Sequence, residues 1–214
     1  MSTTVTYPPM PAPGQVVLQG VSWELYEKLL SEVGDGNLRL TYSNGSLEIM
    51  SPLPKHERTK KLIGGLIEMI ALERNLPMAR LGSTTFKRAD LDRGLEPDEC
   101  YYIRNEARVR NKDRIDPAQD PPPDLVVEVD ITHRSVARLA IYAALGVPEV
   151  WRFDGERLTG LHLEPDGQYH PIETSAAFPF LHIVELERFL AMLTTTDETS
   201  IMRAFRDWVR QAIG

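Results

Sequence analysis

The 214 residues suffice for one well-cored domain and do not demand a second, and 42% hydrophobic with 26% charged residues excludes a chain that is mainly disordered. A net charge of −7 argues against a protein whose main task is non-specific adhesion to nucleic acid, which needs Lys and Arg against phosphates, but leaves room for a nuclease whose acids hold metal. One cysteine, Cys100, excludes an internal disulfide or cysteine-based zinc site, and neither a leader-like start nor an apolar run near the ~18 residues of a membrane span is present, so a cytoplasmic protein without membrane association is expected.

In chain order, residues 1–14 carry Pro8, Pro9, Pro11 and Pro13 and read as a flexible arm outside a single domain over 15–214. Trp23, Leu25, Tyr26, Leu29 and Leu30 recur at helical spacing behind Ser22, which predicts a short amphipathic helix ended by Gly34 and Gly36. Two strands, 38–42 and 47–50, flank Asn44-Gly45, a pair that accepts positive φ and predicts a hairpin. A helix is expected over about 55–75, with Leu62, Ile63, Leu66, Ile67, Met69 and Ile70 on a wide apolar face. Lys55, Arg58, Lys60 and Lys61 load its start, where cations oppose the macrodipole; they fit a solvated charged turn or an anionic partner.

Strands are expected near 78–88 and 99–103, followed by a polar stretch, 104–123, that ends in three prolines. The run Asp124-Leu-Val-Val-Glu-Val-Asp130 then reads as a buried strand, 134–145 as a helix closed by Gly146, and 149–153 as another strand. Strand, helix and strand in that order predict a crossover unit and a mixed sheet. A further hairpin turns at Pro165-Asp166-Gly167, and Ile201, Phe205, Trp208, Val209 and Ala212 mark a C-terminal amphipathic helix.

Acids on a Val-rich strand need a cation, a hydrogen-bond network or an exit to solvent, because burying an unpaired carboxylate is costly. Glu128 and Asp130 lie two apart and share one face, with Val127 and Val129 on the other. Asp98 follows Pro97, whose fixed φ can aim the carboxylate at a neighbouring strand, although an ordinary polar turn would look the same. Glu48 alternates with Leu47 and Ile49, as a solvent-facing strand acid also would. His56 stands at a helix start, where histidine is often simply polar, and His133 follows the acidic strand. His162, His170 and His182 lack metal-ligand spacing, and Gly64-Gly65 lies within a helical pattern rather than a phosphate loop. Tyr142 and Trp151 read as core.

Pro97-Asp98, and thirty residues after that acid the strand with Glu128-Val129-Asp130, resemble the PD-(D/E)XK nuclease superfamily. Within it the chain is similar to the Uma-type family of restriction-endonuclease-like proteins. The likeness runs over roughly 22–153, through Asn44-Gly45-Ser46-Leu47-Glu48-Ile49-Met50-Ser51-Pro52, His56, Glu96-Pro97-Asp98, Pro123 to Val129, and Ile141 to Trp151. Each piece is common alone; their order and spacing together carry the resemblance.

The resemblance implies an α/β (α+β) fold, a restriction-endonuclease-like mixed central sheet flanked by helices with β-hairpins at its edges. It implies a DNA endonuclease in which Asp98 and Glu128 ligate Mg2+ or Mn2+, with Arg138 and Glu48 in the catalytic set and His56 positioning a phosphate or water. Hard oxygen ligands suit magnesium, which binds through one or two carboxylates together with waters and substrate phosphate. The superfamily pattern has Lys two residues after Glu128, where this chain has Asp130, a third metal ligand or a loop cap. The family pattern often has Lys ahead of the Tyr-Ala pair, where Arg138 stands. Arginine stabilises phosphate charge but does not serve readily as a base. A non-catalytic binding module on the same fold, or a phosphodiesterase for smaller substrates, is the alternative. A homodimer with paired sites is the simplest arrangement for cutting two strands.

Overall fold

The computed structural model describes residues 14–34, 38–82, 84–130 and 137–212. The proposed arm over 1–14 and His133 therefore fall outside the described residues, apart from Gly14.

Two sheets organise the chain. The first is antiparallel, in the order β1 (Gln15–Gln19), β3 (Ser46–Met50), β2 (Arg39–Ser43), β6 (Arg93–Leu95) and β5 (Phe86–Arg88). The Asn-Gly hairpin forms as its sequence predicts: Asn44 and Gly45 both adopt positive φ, 47° and 80°, between β2 and β3. Helix α1 (Trp23–Val33) covers this sheet. Ser22 Oγ accepts from Leu25 N at 3.2 Å, and Gly34 closes the helix with φ 54°. Tyr26 stacks on Tyr42 at 4.9 Å between centroids, within a small core that also holds Val21, Leu40 and Leu47.

The second sheet runs β11 (Tyr169–Ile172), β10 (Leu158–Leu163), β9 (Glu149–Phe153), β8 (Leu125–Val129), β7 (Glu99–Tyr102) and β4 (Ala79–Arg80). It is mixed because β8 and β9 are parallel, with α4 (Arg138–Leu145) lying between them in sequence, while the other neighbours are antiparallel. All five residues of β8 are buried. Leu125, Val127 and Val129 face a core shared with Leu62, Ile63, Leu66, Ile67 and Ile70 of α2 (Pro54–Glu73) and with Ile201, Phe205 and Val209 of α6 (Glu198–Ala212). Val126 joins Cys100, Val150, Ile141 and Tyr142 in a second core beneath α4. Glu149, fully buried on β9, is satisfied by Trp151 Nε1 at 2.6 Å and Ala177 N at 2.7 Å, which ties the loop after β11 to the central sheet.

The predicted strand over 78–88 is two short strands, β4 and β5, in different sheets; the chain crosses between sheets where one continuous strand was expected. The polar stretch after β7 contains α3 (Glu106–Val109), and Asp124 accepts from Ile103 N, Asn105 N and Asn105 Nδ2, which fixes the entry to β8. Short elements without a periodic signal, β1, β6 and α5 (Glu187–Ala191), complete the fold. Among the described residues no helix is long and apolar enough to cross a membrane.

Candidate active site

Strand register brings the two principal acids together. Glu99 pairs with Val127 in the antiparallel β7–β8 ladder, so one further step places Asp98 level with Glu128. Val129 N donates to Asp98 Oδ2 at 2.8 Å, and His56 Nε2, on the first turn of α2, lies 3.1 Å from the same oxygen. Asp98 is 1% exposed, and a strand amide and an imidazole are among the groups that hold its carboxylate.

Glu128 is engaged from α4. Arg138 donates to Glu128 Oε1 from Nε at 3.0 Å and from Nη2 at 2.7 Å, and the Tyr142 hydroxyl, one turn further along the helix, donates to the same oxygen in a short hydrogen bond. Arg138 also donates to Thr41 Oγ1 on β2 and to the Glu96 carbonyl, so one guanidinium joins both sheets at the site. Burial is the largest influence on Arg138 and acts to lower its pKa. The charges of Glu128, Tyr142 and Asp98 together outweigh that effect and hold the guanidinium above its ordinary value. Burial, and then the Glu128 charge, push the Tyr142 phenol well above its usual range, so it remains a hydroxyl donor.

Glu48 lies in the interior, at 1% exposure, and not on a solvent-facing strand surface. It accepts from Gln15 Nε2 at 2.6 Å and pairs across the hairpin with Thr41, the residue that receives Arg138. Asp130 shares the Glu128 face of β8, but its Oδ2 accepts from Arg152 Nη2 at 2.8 Å. Of the residues predicted from sequence, Asp98, Glu128, Arg138 and His56 form one connected group; Glu48 adjoins it through Thr41, and Asp130 turns toward β9.

Among the described residues no group of three or more His, Cys, Asp or Glu side chains is arranged to hold a metal ion. The donor chemistry nevertheless fits a hard cation. Asp98 and Glu128 are two buried carboxylates at the same level of paired backbone, hard oxygen donors of the kind such an ion takes. Magnesium needs only one or two carboxylates when waters and phosphate complete its shell.

Sequence reasoning missed Thr41, Gln15 and the Glu96 carbonyl, because only long-range pairing brings them to Arg138 and Glu48. Tyr142 was assigned to the core; its spacing of four from Arg138 was the available signal for a shared helix face. Lys60 was read with its neighbours as part of a solvated charged turn or a group facing an anionic partner; it is 4% exposed, one turn after His56, with Nζ 3.0 Å from Glu57 Oε2.

A mixed sheet whose adjacent central strands place an Asp and a Glu side by side, under a crossover helix that supplies a cation, is the framework of a restriction-endonuclease-like nuclease fold. The family model described as "Putative restriction endonuclease" (Uma2) matches residues 23–211, and the chain belongs to that family. A solved structure from Anabaena variabilis, described as a putative nuclease belonging to DUF820, is similar in fold, with a TM-score of 0.50 at 13% identity. That match covers 76% of this chain and 90% of the other. No curated protein matches.

Proposed function

We propose that the protein is a metal-dependent endonuclease that hydrolyses DNA phosphodiester bonds, acting as one domain in the cytoplasm and as a homodimer where two strands are cut. The observation that carries this reading is the placement of Asp98, immediately before β7, level with Glu128 on β8, both buried. Membership of a restriction endonuclease family supports the choice of DNA.

Bound Mg2+ or Mn2+ would supply a Lewis acid for the phosphate and lower the pKa of a ligated water. Asp98 and Glu128 would provide its carboxylate oxygens. Asp130 enters as a third ligand only when its ion pair with Arg152 opens. The Val129 amide and His56 fix the Asp98 carboxylate, and Arg138 with Tyr142 fix that of Glu128, so neither acid must reorganise as charge develops on phosphorus. Arg138 is held protonated and takes no proton; its part is to position Glu128 and offset negative charge. His56 is assigned to holding phosphate or water beside Asp98, and Glu48 to supporting Thr41 beneath the guanidinium.

Metal binding tests this directly. Mn2+ is expected to raise the melting temperature of the native protein and to leave Asp98→Ala and Glu128→Ala variants unshifted; equal shifts in all three would contradict the ligand assignment. One observation favours the alternative of a non-catalytic module: the position that carries lysine in the family pattern holds an arginine committed to Glu128, Thr41 and Glu96. Metal binding without cleavage of any DNA would select that alternative.

A further inference from the structure

Of the four sheet edges among the described residues, three carry features that discourage pairing with another chain. Strand β5 carries Lys87 and Arg88, β4 is two residues long and ends in Arg80, and β11 contains Pro171. The fourth, β1, reads Gln15-Val-Val-Leu-Gln19, with no charge, proline or glycine. Val16 is 52% exposed and Leu18 41%, although their partners on β3, Ile49 and Leu47, pack in the core beneath α1.

Register shows which groups β1 leaves open. Ser51 N donates to Gly14 O at 3.0 Å, so by alternation Val16 with Ile49 and Leu18 with Leu47 are the hydrogen-bonded pairs. The N–H and C=O of Val17 therefore point away from β3, and among the described residues no strand lies beyond to meet them. The strand is also close to a palindrome about Val17. Paired antiparallel with a copy of itself on that centre, β1 sets Val16 opposite Leu18 of the second copy and Gln15 opposite Gln19, while the two Val17 residues exchange both hydrogen bonds. No like charges meet.

We infer that β1 is the contact of a symmetric dimer, in which a twofold axis at Val17 joins the first sheets of two copies into one continuous sheet. Because Val17 stands opposite Glu48 on β3, the Glu48 of each copy lies one strand from that axis. The inference gives a surface to the homodimer proposed above and rests on the nuclease reading only for what two sites would do.

Size-exclusion chromatography with light scattering reads the mass of the native protein and of three variants, with thermal melts confirming that each is folded. Native protein is expected at twice the chain mass. Val17→Pro removes only an outward N–H and leaves the ladder to β3 intact, whereas Val16→Lys with Leu18→Lys sets like charges opposite each other across the axis; both are expected at the mass of one chain. Val16→Lys with Leu18→Glu sets opposite charges face to face in the same register and is expected to regain the dimer. Native protein at the mass of one chain, or a dimer that survives either Val17→Pro or the two lysines, would overturn the inference. Failure of the lysine and glutamate combination to restore the dimer would overturn the register centred on Val17. Mass is read without metal or DNA, so a dimer that cuts nothing and a monomer that cuts are told apart, and failure here is separate from failure of the nuclease reading.

Discussion

Arg138 is the residue on which the site depends most. Its guanidinium touches Glu128, Thr41 and the Glu96 carbonyl at once, a reach that a planar fork provides and a point-like ammonium does not. Arg138→Ala removes the guanidinium that donates twice to buried Glu128 and is expected to cost about 3–5 kcal/mol, measured by urea unfolding. Arg138→Lys keeps the positive charge but loses part of the fork, so an intermediate loss is expected. A stability equal to that of the native protein in Arg138→Ala would show that the ion pair is not structural. At this scale the sequence was informative where chemistry demanded it: Glu128 stood out as an acid on an apolar strand, whereas Asp98 after Pro97 looks like an ordinary polar turn and was singled out only by its spacing to that strand in the family resemblance. Thr41 and Gln15 were not, since a Thr or Gln on a strand carries no signal until its cross-sheet partner is known.

The elements were readable in proportion to their periodicity. Ser22 and the spacing of Trp23, Tyr26 and Leu30 fixed α1, and Asn44-Gly45 fixed its hairpin, because cap and turn chemistry are local. Strand β6 was silent, since its three residues include Gly94 and show no alternation. Its glycine is required by packing: a Cβ there would fall 2.3 Å from the Tyr26 hydroxyl and 2.8 Å from the ring. Gly94→Ala is therefore expected to push α1 from the first sheet and to cost ~1–3 kcal/mol, as overpacking does. Chemical denaturation measures it, and Gly94→Ala with Tyr26→Leu should recover much of the loss. Tyr26→Leu failing to relieve Gly94→Ala would place the strain elsewhere.

At the scale of the molecule, burial sets the response to alkali. Tyr26, Tyr101, Tyr102 and Tyr142 are each pushed above the ordinary phenol value, chiefly by desolvation. The unfolded chain releases these protons near pH ~10 while the folded chain holds them. Their contribution to stability is thus complete below about pH 10 and is lost as pH rises toward the folded values. In a Tyr7→Phe background the urea midpoint should stay level from the viewpoint of these tyrosines between pH 8 and 9 and fall beyond 10, with their phenolate absorbance appearing only on unfolding. Phenolate appearing in that folded variant at pH 10 would contradict this burial.

The two sheets meet where Arg138 spans them, so the whole fold converges on the pair of acids that the proposed reaction needs. The most direct measurement is cleavage of supercoiled plasmid by purified protein with Mg2+ or Mn2+, beside a Glu128→Gln variant of equal melting temperature. The account predicts metal-dependent conversion to nicked or linear DNA by the native protein, suppression by EDTA, and a loss of at least about a hundredfold in the variant, the scale on which removing one preorganised electrostatic group acts. Cleavage that persists undiminished in Glu128→Gln, or no cleavage of plasmid, linear or single-stranded DNA by native protein with metal bound, would contradict it.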